Sequence, residues 1–180
     1  CSAAQLGVAL CPCSGTADPT AYAAAVDAAA SALSGDPRVV VDRLRDRMFE
    51  LAANQRFEEA ATTRDRLSTL LGAVRRHLLV EALRSAERAE VSFGDSTWII
   101  DRGRLIDATR IGAPGRALPV PPPEASTAAV LSRDQIDEAL CLARFCDKRA
   151  DRLAVSCSGT WAFPIGDRLP ELAALVNRAA

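Results

Sequence analysis

The sequence predicts an α+β fold, mainly α, in which a cysteine-rich loop and helices precede a small β-hairpin/helix unit. Three observations carry this expectation. Helical spacing of apolar residues runs from Pro19 to Leu83. A stretch rich in β-branched and aromatic residues follows from Glu90 to Gly112. Beyond a proline-rich gap, Ser132 and Gln135 carry the spacing of a capping box that opens one more helix. At 180 residues, with 49% hydrophobic and 25% charged side chains, the chain is long enough to bury one substantial core or two small ones.

The elements follow in order. Residues 1–16 read as a loop bearing Cys1, Cys11, Cys13 and two glycines. Pro19 to Leu33 reads as an alanine-rich helix with Tyr22, Val26 and Leu33 roughly on one side. Asp36 before Pro37 supplies a capping oxygen and a first-turn proline for the next helix. Val40, Leu44, Met48, Leu51 and Ala52 then recur at helical spacing. A polar turn at Asn54-Gln55-Arg56 precedes a second helix, with Phe57, Ala60, Ala61, Leu67, Leu71 and Val74 on its apolar stripe, continuing through Leu83. Val91 to Ile100 and Arg104 to Ile111 read as a β-hairpin turning at Arg102-Gly103. The segment 112–127 is a proline-rich linker, because proline removes backbone donors. A helix to about Arg149, a short strand from Leu153 to Cys157, a turn at Gly159-Thr160-Trp161 and a helix from Pro170 complete the chain. The expected divisions are 1–35, 36–88 and 89–180.

Composition narrows the function classes. A net charge of −1 excludes a strongly basic polyanion binder, though not a local patch. No run of about 18 apolar residues is present, so no membrane partner is expected. Six cysteines without a secretion signal fit a reducing cytoplasm, which is the expected location. Lys148 is the single lysine, and this arginine and alanine bias reflects a GC-rich coding genome rather than a function. The chain begins at Cys1 and holds one methionine, Met48, as expected of a piece of a longer protein.

Five groups of residues are candidates for chemistry. Cys1, Cys11 and Cys13 offer thiolates for zinc or an iron–sulfur cluster, with a fourth ligand required from upstream or from Cys141, Cys146 or Cys157. The competing reading is that they are small buried hydrophobes. Phe57, at the turn of a charged hairpin, fits an aromatic anchor for a partner, with Arg56, Glu58, Glu59, Arg64 and Asp65 as its rim. Against that, the same charges at three- and four-residue spacing simply support an exposed helix. Arg75, Arg76, His77, Arg84 and Arg88 form a basic stretch diluted by Glu81 and Glu87, which favours a solvated face over phosphate contact. Most carboxylates sit beside an arginine, the pattern of surface pairing rather than of a metal-dependent nuclease. Trp98, Trp161, Phe93 and Phe163 are too dispersed for a base-stacking stripe and are assigned to the core. No catalytic residue is assigned.

The ordered string Met48, Ala52, Phe57-Glu58-Glu59-Ala60-Ala61, Arg64-Asp65 and Leu67 resembles the UVR motif. That motif is the small helical hairpin through which the bacterial excision-repair proteins UvrB and UvrC recognise each other. The resemblance implies that Met48, Leu51, Phe57, Glu58, Glu59, Ala60, Arg64, Asp65 and Leu67 bind UvrB or another UVR-bearing protein. It extends upstream: Cys1, Gln5-Leu6-Gly7, Pro12-Cys13, Gly15, Tyr22, Val26 and Gly35-Asp36 follow the order found before the hairpin in UvrC and its shorter Cho-like relatives. There the family's Arg-Cys pair falls on Val8 and Ala9, while Cys11 sits two places later, so a degenerate iron–sulfur or zinc site is implied. Arg102-Gly103-Arg104-Leu105 is similar to the strand pair that follows the motif in the family. Trp161, Pro164 and Gly166 resemble the tail of actinobacterial proteins that fuse a DEDD exonuclease domain to a GIY-YIG Cho-like domain.

The resemblance implies a C-terminal, partner-docking and non-catalytic segment of a DNA-repair nuclease. Its GIY-YIG domain would lie upstream, magnesium or manganese would serve that parent nuclease, and DNA would be contacted through the parent. Two alternatives stand beside this reading. One is a UVR-bearing adaptor of the McsA and ClpC type, whose paired CxxC zinc motifs are missing here; the other is a purely structural helical domain.

Overall fold

The computed structural model describes residues 10–15, 17–34, 37–110, 112 and 131–166. The chain divides into two compact units, residues 1–74 and 75–180, and one long helix begins in the first and ends in the second.

In the first unit a 3-10 turn at Pro12–Ser14 precedes α1 (Pro19–Ser34), α2 (Arg38–Ala53) and the opening part of α3 (Phe57–Ser85). Asp18 starts α1: its carboxylate accepts from the N–H groups of Thr20 (3.1 Å) and Ala21 (3.3 Å), and Pro19 fits the first turn behind it. The apolar side chains Tyr22, Val26 and Leu33 remain exposed, and Ala32 is buried. Pro37 occupies the N-cap position of α2, and its carbonyl accepts from Val40 and Val41. The expected Asp36 cap lies outside the described residues. Val41, Met48 and Leu51 form the buried stripe of α2. Val40 is therefore displaced from the core by its neighbour, since one residue turns the side chain by about 100° around a helix.

The second unit is a four-stranded antiparallel sheet in the order β3-β2-β1-β4, covered on one face by helix. The strands are β1 (Arg88–Phe93), β2 (Ser96–Asp101), β3 (Arg104–Arg110) and β4 (Ala154–Cys157). The predicted hairpin is thus a three-stranded meander. What reads in the sequence as one strand from Val91 to Ile100 is divided by Gly94-Asp95. Gly94 has φ 57, which a two-residue hairpin loop requires at its first position and glycine adopts without strain. The second turn falls at Arg102-Gly103 as expected, both residues at positive φ.

Register explains the core. Val91 pairs with Trp98 on one side and Val155 on the other, and Ala89 with Ile100 and Cys157, so these side chains share a face. Onto it pack α4 (Arg133–Lys148), through Ala139, Leu140, Ala143 and Cys146, and the end of α3, through Leu79, Val80, Ala82 and Leu83. Alanines at 139 and 143, one turn apart, bring α4 close to the strands. A fully buried leucine such as Leu83 contributes about 1.5–3 kcal/mol. Trp98 meets Phe145 edge-on at 5.2 Å, and Trp161 lies 5.0 Å from Phe163. These aromatics are core packing, as the sequence indicates.

Polar groups close the unit. Ser132 and Gln135 form the predicted capping box at the start of α4. Glu138 accepts the Leu105 N–H of β3 at 2.7 Å. Asp147 accepts the Ile165 N–H at 2.8 Å and pairs with Arg75 at 3.2 Å. The linker beyond residue 112 and the helix expected from Pro170 lie outside the described residues.

Candidate functional site

The hairpin of α2 and α3 is built by its turn. Asn54 ends α2, and Gln55 swings into the left-handed region at φ 59. Gln55 N–H then donates to the Ala52 carbonyl and Arg56 N–H to the Leu51 carbonyl, both at 2.9 Å, the double closure of a Schellman end. The chain reverses within three residues and α3 starts at Phe57. Met48 and Leu51 of α2 pack with Ala60 of α3, and the small alanine lets the two helices approach. Thr63 is buried but satisfied, its hydroxyl donating to the Glu59 carbonyl at 2.8 Å.

The charged residues sit outside. Arg56 grips the Glu59 carboxylate with two nitrogens, at 2.5 and 2.6 Å. That hydrogen bond is the main reason the Glu59 carboxyl is held below, and the Arg56 guanidinium above, their ordinary ranges. Glu58 and Glu59 lie in the first turn of α3, where the helix dipole favours negative charge. Arg47 pairs with Glu50 at 2.7 Å, and Arg64 with Asp65 at 2.9 Å.

The nine residues assigned to partner binding therefore separate into two sets. Met48, Leu51, Ala60 and Leu67 are buried and form the inside of the hairpin. Phe57, Glu58, Glu59, Arg64 and Asp65 are exposed. Phe57 leaves 66% of its surface in water at the mouth of the turn. The periodic stripe of α2 omits Phe49, which is 46% exposed among charged neighbours. Its signal in the sequence is an aromatic residue between Arg47 and Glu50 that is off the apolar spacing.

The other candidates are placed more simply. Cys1 lies outside the described residues. Cys11 is buried and Cys13 exposed, on either side of Pro12 in a turn that closes with Gly15 N–H donating to the Pro12 carbonyl. Two thiols do not make a coordination set, and among the described residues no three metal-ligating side chains converge. In the basic stretch, Arg75 is paired with Asp147 and Arg84 with Glu81. Arg76, His77 and Arg84 line, with Val80 and Leu140, an open cavity of about 400 Å³. Burial, with the charge of Asp147 adding to it, pushes the Cys146 thiol up to about 12. Among the described residues no helix is long and apolar enough to cross a membrane.

Residues 38–71, the hairpin itself, match the family model of the UvrB/uvrC motif, UVR. The chain is 37% identical to the UvrABC system protein C of Haloquadratum walsbyi over 70 residues, covering 39% of this chain and 12% of that protein. It is 41% identical to the protein of the same name from Natronomonas pharaonis over 66 residues, covering 37% and 12%. With that of Halobacterium salinarum it shares 29% identity over 131 residues, covering 73% of this chain and 20% of the relative. The chain thus carries a UVR motif and is homologous to UvrC at modest identity, while spanning only 12–20% of the length of these relatives. No solved structure matches the chain.

Proposed function

We propose that the chain is part of a UvrC-like nucleotide excision repair protein, in which the hairpin at 38–71 docks on UvrB or another UVR-bearing protein. One observation carries this reading: the UVR match coincides with a hairpin whose first α3 residue, Phe57, stands 66% exposed beside a rim of charge. A phenylalanine has only two side-chain torsions to freeze on docking, and its backbone is already fixed by the closed turn, which suits it to an anchor. Met48, Leu51, Ala60 and Leu67 contribute by fixing the hairpin, and Glu58, Glu59, Arg64 and Asp65 by setting partner choice.

The whole protein would incise DNA through a GIY-YIG domain with magnesium or manganese, in the manner of the actinobacterial DEDD fusions. The present chain would be the recruiting handle rather than the cutting part. Cys1, Cys11 and Cys13 would brace the loop before the helices, as a degenerate metal site. Capture of purified UvrB by the chain tests the docking reading. Wild type is expected to bind and Phe57→Ala to weaken binding by about tenfold or more. Absent binding, or equal binding by both, would overturn it. The chain alone should not cut DNA with magnesium or manganese. Zinc analysis and visible absorption of the purified chain test the cysteine loop.

A further inference from the structure

We infer that Phe49 is a second aromatic anchor, so that the hairpin docks through a two-point apolar surface, Phe49 and Phe57, onto an apolar helical face of a partner protein. This rests on the docking reading above. Phe49 lies four residues before the end of α2 and Phe57 opens α3, so both sit near the turn, Phe49 about 6 Å along its helix axis from the last residue. Both belong to the first unit, and neither is needed to close the hairpin core, which Met48, Leu51 and Ala60 complete. A phenylalanine 46% exposed on a helix whose other exposed positions are mainly Arg, Asp and Glu has no structural task there.

Charge selects the occupant. Between Asp42 and Arg66 six arginines balance six carboxylates, giving a net charge of zero. Most of these charges are already engaged within the hairpin: Arg45 with Asp42 and Asp46, Arg47 with Glu50, Arg56 with Glu59, Arg64 with Asp65. Such a surface offers a polyanion no net attraction, and a highly charged protein gains little from it. It fits a partner that brings an apolar stripe with balanced charges of its own, as an amphipathic helical hairpin does.

Titration calorimetry of the full chain with UvrB distinguishes the alternatives. Phe49→Glu is expected to weaken binding about tenfold or more without altering the helical circular dichroism, and Phe49→Tyr to retain it. Wild-type affinity should change less than about threefold between roughly 0.1 and 0.5 M salt, because few ions are released. If Phe57→Ala weakens binding and Phe49→Glu does not, the second anchor is refuted while the docking reading stands. If wild type fails to bind, both fall. A steep loss of affinity with salt would refute the apolar docking surface. Conversion of a dimer to a monomer by Phe49→Glu, seen in sedimentation, would assign the surface to a second copy of the chain instead.

Discussion

Among the described glycines of the second unit, Gly159 leaves the least room for a side chain. A methyl group there would collide with the Ser85 carbonyl oxygen, and would lie 2.9 Å from Cγ of Glu87 and 3.0 Å from the Ala86 carbonyl carbon. Ala86 is fully buried at the end of α3, so the helix cannot yield, and the loop after β4 must move away instead. That loop is laced to the end of α3 and the start of β1 by three backbone bonds: Ser158 N–H to the Arg88 carbonyl at 3.0 Å, Gly159 N–H to that of Ala86 at 3.1 Å and Thr160 N–H to that of Ser85 at 2.7 Å. At about 1 kcal/mol net for each, Gly159→Ala should destabilise the unit by about 3 kcal/mol. Both tryptophans, Trp98 and Trp161, belong to this unit, and Tyr22 to the other, so tryptophan fluorescence excited selectively reports on it alone. With a urea dependence of about 1.5 kcal/mol per molar, the midpoint should fall by about 2 M. A midpoint within about 0.3 M of wild type would show that the loop absorbs the methyl group and that the close approach carries no energy.

Four further outcomes follow from local geometry. Gln55→Gly should raise the stability of the hairpin by about 0.5–1 kcal/mol, because the left-handed conformation strains glutamine and not glycine; a melt of far-ultraviolet circular dichroism reads it. Ser132→Ala removes the capping box of α4 and should cost about 1 kcal/mol in urea unfolding followed by tryptophan fluorescence. Cys146 contributes a pH dependence whose sign is fixed by its raised value. Both states hold the neutral thiol below the ordinary value of 9.0, and above it the unfolded chain ionises first, so stability should decline from pH 9 towards 12. Thiol labelling near pH 8 should modify exposed Cys141 and spare buried Cys146 until the protein unfolds.

Much of this molecule is written locally. The Ser132–Gln135 box, the Asn54–Arg56 turn, the Arg102-Gly103 turn and the helical spacing of Met48 and Leu51 are each specified by neighbours in the chain, and each is present. The Gly94-Asp95 turn is masked in the sequence, because aromatic and β-branched residues on both sides disguise one glycine as a point within a single strand. The string Phe57-Glu58-Glu59-Ala60-Ala61 likewise pointed to the UVR motif that the family comparison identifies over 38–71.

Periodicity, capping and turn chemistry act over a few residues, so most of the helices and turns, and the motif they carry, are legible along the chain. Which side chains those elements bury is set by the packing of the folded chain. It placed Val41 rather than Val40 inside, committed Leu79, Val80, Ala82 and Leu83 to the core of the second unit, and brought β4 alongside β1. It also left Phe49 and Phe57 in water. Burial depends on what lies opposite in space, and the spacing of residues along one chain segment does not contain that information.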